Sequence, residues 1–167
     1  MRTDSRLRLG VLVLAICGSV LLCGCQSGFQ VPVTLADNLR NASVQVQIIG
    51  IDDLAVPKWS SINMTDYWAP GSPMMPDRQK IKILDFDPGK VQTLTLSKND
   101  PVWRTWSDRE ITHLVVLANI PGAFPSREGN ADARRLIIDL RHAWYESGPS
   151  SYAFTVSAQG ITYTSAK

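Results

Sequence analysis

The sequence predicts a mainly β fold: an antiparallel two-sheet β-sandwich of seven or eight short strands with one short helix. Three observations predict it. Apolar and polar residues alternate with a period of two in run after run, as in Ser43 to Ile51 and Lys80 to Phe86. Turn-forming residues separate the runs at short intervals, as at Asp87-Pro88-Gly89-Lys90. Long helices do not alternate with these runs, which argues against a parallel βαβ sheet.

The first 25 of the 167 residues stand outside that pattern. Arg2, Arg6 and Arg8 precede an apolar run from Leu9 to Leu22, which leads into Cys23-Gly24-Cys25. A basic segment, an apolar segment and a small residue before a cysteine read as an export signal. Leu22-Cys23-Gly24-Cys25 resembles a bacterial lipobox. By that resemblance Cys25 takes a diacylglycerol on sulfur, becomes the N-terminus and gains an N-acyl chain. Gln26, in place of Asp, implies sorting to the periplasmic face of the outer membrane. The rival readings are a plain cleaved signal and a retained anchor. The run of about 14 apolar residues falls short of the roughly 20 that span a bilayer, and no A-x-A-like cleavage site is present. Cys17 and Cys23 are poorer lipidation sites, because bulky Ile16 and Leu22 precede them. The expected organisation is a signal over 1–24, a lipidated tether over 25–42 and the sandwich over 43–167.

The elements follow in order. Val31-Pro32-Val33 argues for extended backbone in the tether. Val44, Val46 and Ile48 alternate with Gln45 and Gln47 as in a half-buried strand. The segment 52–79 holds Pro57, Pro70, Pro73 and Pro76 among Trp59, Tyr67, Trp68, Met64, Met74 and Met75. Its prolines exclude a long helix or central strand through 69–76. A short strand near Ile62 to Met64 is compatible with the pattern, and the aromatics argue against disorder. Lys80 to Phe86 and Val91 to Leu96 flank a turn and read as a hairpin or as two sequential strands of one sheet. Asp100 and Pro101 read as N-cap and first residue of a short helix that puts Trp103 and Trp106 on one face. Ile111 to Ile120 is the most apolar run after the leader and predicts a central strand. Arg135 to Leu140 predicts another, and Tyr152 to Thr164 a closing hairpin around Gln159-Gly160.

Composition narrows function. All three cysteines are Cys17, Cys23 and Cys25, so disulfides and cysteine metal sites are excluded from the domain. Of 17 basic and 15 acidic side chains, residues 1–24 hold Arg2, Arg6, Arg8 and Asp4, which leaves 14 of each. The domain is neutral, and no basic cluster points to nucleic acid. Arg134-Arg135, the longest basic run, reads as a strand start or a solvated loop edge.

Catalytic signals are absent. His113 and His142, the two histidines, sit in a strand pattern and at a strand end, and no HExxH-like spacing links them. Asp52-Asp53 could serve acid–base chemistry but reads first as a turn. No phosphate loop and no G-x-S-x-G elbow occurs. No enzyme activity, cofactor or metal is expected. The aromatic loops carry the better signal. Trp59, Tyr67, Trp68 and Trp144 are the candidate partner-binding residues, because Trp and Tyr are enriched at interface hot spots. Their other reading is to cap the open end of the core.

The lipobox, the length after it and the run of short strands together resemble the outer-membrane lipoprotein of type VI secretion systems, the TssJ family. The strand Ile111 to Ile120, the Arg134-Arg135 strand and the hairpin Tyr152 to Thr164 come in a comparable order. The resemblance implies a two-sheet sandwich with added short helices, tethered to the outer membrane. It also implies binding to an inner-membrane partner of a trans-envelope complex, with partner contact from a loop whose matching positions here are Asp52 to Ser61. The alternative reading is a small-ligand or carbohydrate-binding sandwich with Trp68 or Trp144 as a stacking platform.

Overall fold

The structure, a computed structural model, describes residues 28–73, 81–141 and 151–166. Cys25, Met74, Met75, His142, Trp144 and Tyr145 lie outside the described residues. Within them, eight strands form two four-stranded sheets: β1 (Val31–Leu35), β2 (Val44–Ile51), β3 (Ile81–Phe86), β4 (Thr93–Leu96), β5 (His113–Ala118), β6 (Arg135–Asp139), β7 (Ser151–Ser157) and β8 (Gly160–Ala166). The sheet orders are β4-β1-β7-β8 and β3-β2-β5-β6. The inner faces meet in one core that includes Val33, Val46, Ile48, Phe86, Leu114, Val116, Phe154 and Val156. The expected two-sheet sandwich is therefore the observed architecture.

Four details differ from the sequence reading. The chain enters the fold earlier than residue 43: β1 lies between β4 and β7, with Val31, Val33 and Leu35 buried. The alternation of these three with Pro32 and Thr34 is the strand signal inside the supposed tether. Next, β1 runs parallel to β7, so one pairing of the sandwich is not antiparallel. Third, β3 and β4 do not pair: β3 joins β2 and β4 joins β1. The turn between them crosses from sheet to sheet, and its Gly89 N–H donates to the Arg40 carbonyl. A period of two gives each strand a buried face but does not say which sheet owns it.

Fourth, among the described residues three short α-helices stand where a single one was expected: α1 (Val56–Ser61), α2 (Met64–Tyr67) and α3 (Val102–Ser107). Pro57 opens α1, where its missing N–H costs no hydrogen bond. Asn63 caps α2 by accepting from the Thr65 and Asp66 N–H groups, so Met64 starts a helix and no strand forms there. Asp100 accepts from the Val102 N–H one position earlier than a side-chain N-cap would sit. Trp103 and Trp106 share a face of α3 as expected, with ring centroids 5.1 Å apart. In the closing hairpin, Gly160 has φ +133° and lies against Ala133, where a Cβ would meet the carbonyl oxygen at 2.7 Å.

Candidate functional site

The outer face of the β3-β2-β5-β6 sheet should be polar in a sandwich with one core. Instead Ile49 and Ile51 of β2 and Val115 and Leu117 of β5 point outward and are buried. Helices α1 and α2 cover them. Trp59, Met64 and Tyr67 pack onto these four residues and form a second core. We call the segment 53–68 the lid.

The lid is held by polar anchors as well as apolar contact. The Tyr67 hydroxyl donates to Gln47 Oε1 at 2.5 Å, Gln47 donates to Gln45, and Gln45 donates to Asp85 at the surface. Burial pushes the Tyr67 phenol well above its ordinary range, so it remains a donor. Trp59 and Trp68 flank Tyr67 at 6.1 and 5.1 Å between ring centroids. The Trp68 indole N–H is buried and finds no acceptor among the described residues.

Arg134 and Arg135 are further anchors, and of their two sequence expectations the strand start holds while the solvated loop edge does not. Arg135 is 1% exposed and Arg134 7%. The Arg135 guanidinium donates to the carbonyls of Trp59 and Ile62 in the lid, and of Arg127 and Gly129 in the loop before β6. Burial pulls it below the usual arginine range. Arg134 pairs with buried Asp132 at 3.1 Å, lies 5.7 Å from the Phe124 ring centroid and reaches Thr65 of α2. Burial raises the Asp132 carboxyl, but hydrogen bonds from Arg134 and from backbone N–H groups outweigh it and leave a net lowering. Adjacent strand residues point to opposite faces. Two consecutive arginines in a strand therefore place at least one on a packed face wherever both faces are covered, and that was the available signal.

The lid root carries the solvent-facing features. Leu54, in the turn Asp53–Ala55, is 91% exposed. Asp52 caps this turn by accepting from the Ala55 N–H. Beside it a cleft of about 210 Å³ opens between Ile51, Ala55 and Trp59 on one side and Arg109 and Ile111 on the other. Asp53 accepts from the Thr112 hydroxyl at 2.9 Å and lies 3.3 Å from His113 Nδ1 and 3.6 Å from Arg141. Arg141 in turn holds Asp139 through hydrogen bonds that lower its carboxyl to about 2. Asp52 and Asp53 thus cap and tie down the lid root. His113, read as an ordinary strand residue, takes part in that tie.

The predicted site residues separate accordingly. Trp59 and Tyr67 are brought together in the second core, 8% and 0% exposed. Trp68 packs half-buried at its edge. Trp144 lies outside the described residues, and so does His142. Leu54 and Arg109 were not singled out from sequence; an isolated leucine between aspartates and alanine carries no periodic signal. Among the described residues no group of His, Cys, Asp and Glu could hold a metal ion, and no helix there is long and apolar enough to cross a membrane.

Neither a protein-family profile nor a curated protein matches the sequence. Solved structures do match. The structure titled as the T6SS protein TssM C-terminal domain from EAEC aligns with TM-score 0.52 at 13% identity, over 81% of this chain and 99% of that one. Serratia marcescens Lip, described as a membrane-bound component of the type VI secretion system, aligns with TM-score 0.46 at 9% identity, over 81% and 97%. The T6SS lipoprotein TssJ1 from Pseudomonas aeruginosa aligns with TM-score 0.37 at 11% identity, over 83% and 95%. The first of these likenesses shows a shared fold over most of both chains.

Proposed function

We propose that this protein is a non-enzymatic, lipid-anchored interaction module of a type VI secretion trans-envelope assembly. Acylated Cys25 would hold it on the periplasmic face of the outer membrane, and the loops led by the lid would meet an inner-membrane protein of the complex. The observation that carries this reading is the lid root. Leu54 stands 91% exposed on a turn that is capped by Asp52 and tied through Asp53 to the sheet end. An exposed apolar side chain on a braced support offers contact area without an ordering cost at the moment of binding. It lies within Asp52 to Ser61, the segment that the TssJ resemblance implies for partner contact, and the shared fold supports the same reading. Tethering adds to affinity, because confinement to one leaflet raises the effective concentration toward a local partner.

Among the described residues, the cleft at the lid root does not speak for the ligand-binding reading, whose platform Trp68 does not line it. The cleft of about 210 Å³ is smaller than the roughly 300–1,000 Å³ of ordinary ligand pockets, and Trp59, the one tryptophan lining it, shows only 8% of its surface.

The test is capture of the periplasmic domain of a type VI secretion inner-membrane protein from the same cell. Leu54→Glu should lower capture at least tenfold with an unchanged melting temperature. Trp59→Ala should lose capture together with folding. Undiminished capture by Leu54→Glu refutes the lid root as the contact.

A further inference from the structure

The start of the fold constrains how the protein stands on its membrane. Gly28 lies flat on the Trp103 indole, where an added Cβ would meet the ring at 2.3 Å. The Phe29 ring sits 4.6 Å from Trp103 and 5.4 Å from Tyr152. Gln30 bridges Ser151, and Val31 pairs with Leu96 inside the sheet. The folded domain is thus engaged from Gly28 onward. Three Cα-to-Cα steps separate Gly28 from Cys25, a reach of at most about 11 Å. The eight residues of β2 span about 26 Å, more than twice that reach.

The same end of the sandwich carries the lid root. Trp103 donates to the Ser97 carbonyl just beyond β4, and its ring packs edge-on against Trp106. Trp106 lies against Gly50 near the end of β2, where a Cβ would meet its ring at 2.7 Å. The next residues of β2 lead into the lid root and the cleft. The opposite end holds the turn 87–90 and the Ala158-Gln159 turn, which bond to Arg40 and Asn38.

We propose that the domain rests on the leaflet that holds Cys25, with the end formed by Phe29, α3 and the lid root facing the lipid surface. This rests on the anchoring reading above and goes beyond it, since an anchored domain on a long arm would have no fixed face. With so short an arm the far end cannot turn toward the bilayer. Exposed Lys98, Arg104 and Arg109 share this end with exposed Asp108 and Glu110, so chain length and not charge sets the orientation. A protein that meets Leu54 then does so in the layer next to the membrane.

The experiment uses the full mature lipoprotein in bilayer nanodiscs that contain a fraction of lipid with a gadolinium-chelating headgroup. A nitroxide is placed in turn on Lys98→Cys, Leu54→Cys and Lys90→Cys. Each is then the single free thiol, because Cys25 is blocked by its lipid and no other cysteine follows it. Lys98 and Lys90 flank β4, whose four residues correspond to roughly 13 Å. Gadolinium–nitroxide distances about 13 Å shorter from 98 and 54 than from 90 support the proposal. Distances from 90 equal to or shorter than those from 98 overturn it, and a label on 54 that groups with 90 overturns the placement of the lid root. A flexible linker of 20 Gly/Ser residues inserted before Gly28, about 25 Å in mean span, should erase the difference; a difference that survives overturns the role of the short arm. Intact mass keeps the two readings apart. A lipidated protein without the distance difference sinks this proposal alone, and a protein without lipid on Cys25 sinks the anchoring reading.

Discussion

Replacing Arg135 with Met tests whether the lid is held mainly by one buried cation. Its guanidinium donates to four carbonyls, two in the lid and two in the loop before β6, and it is 1% exposed. Hydrogen bonds to charged groups contribute about 1.5–3 kcal/mol each, so four set a ceiling near 12 kcal/mol. Against this stands the cost of burying the ion, several kcal/mol, which Met does not incur. Met also fills most of the volume, so no large cavity adds to the loss. The balance is a destabilisation of about 2–4 kcal/mol. Arg135→Lys keeps the charge but offers a point donor in place of a planar fork, and should lose about 1–2 kcal/mol. Urea unfolding followed by tryptophan fluorescence measures the total. Hydrogen exchange locates it: amides of α1 and α2 should lose protection before those of β7 and β8. A change below about 0.5 kcal/mol in Arg135→Met, with lid exchange unaltered, would refute the argument.

Three further outcomes follow from single contacts. Gly50→Ala places a methyl within 2.6 Å of Ile111 and 2.7 Å of Trp106, and should cost about 1–3 kcal/mol of stability in thermal or urea unfolding. Asp132→Asn removes the buried partner of Arg134 and should cost about 3 kcal/mol; a loss below 1 kcal/mol would mean that Phe124 and Thr65 suffice to hold Arg134. Asp139 and Asp132 both have lowered native carboxyl values, so their stabilisation is present above the ordinary carboxylate range and is lost as pH falls through the lowered one. For Asp139 that window runs from 3.8 down to about 2. The melting temperature of Asp139→Asn should therefore depend less steeply on pH across this window than that of the parent, and a parallel pair of curves would count against the Arg141 contact.

The sandwich was legible because its signal is local. Alternation in the first half of β2 and in the closing hairpin marks which side chains turn inward, the apolar run of β5 marks a central strand, and turn residues mark the ends. Sheet membership was not legible, since β3 and β4 carry the same alternation and the same turn between them whether they pair or part. The lid was half legible. Over its described part, 52–73, the segment holds only short helices, as the prolines imply, and its aromatics are packed. Whether Trp59 and Tyr67 would face a partner or the sheet depended on a feature distant in sequence: Ile49, Ile51, Val115 and Leu117 on the outer face, which need cover. The clue lay in β2 itself. Gln47 is flanked by apolar neighbours and is 1% exposed, so it needs a buried partner, and Tyr67 supplies the hydroxyl. For Arg135 the sequence offers a strand start or a solvated loop edge, and the strand start holds; its burial was not legible because charge usually means solvent, and only the three-dimensional gathering of four carbonyls gives a buried guanidinium a reason to stay.

That gathering bears on the proposed function. An aromatic cover held by apolar contact alone can slide, because dispersion is non-directional, whereas hydrogen bonds to fixed carbonyls define one position. Arg135 joins α1 and the residue after it, Ile62, to the loop before β6, and Arg134 joins α2 to the same loop through Thr65. The Asp53 contacts fix the root of the lid to the start of β5 and the end of β6. Leu54 therefore projects from a support constrained on two sides. A partner that binds there loses little free energy to ordering the lid, and anchoring adds the effect of confinement. Under this reading a small apolar contact suffices for assembly, and loosening Arg135 should weaken partner capture in proportion to the lid's loss of exchange protection even though Arg135 itself touches no solvent. Equal capture by a variant whose lid exchanges freely would separate the support from the contact and leave Leu54 to act alone.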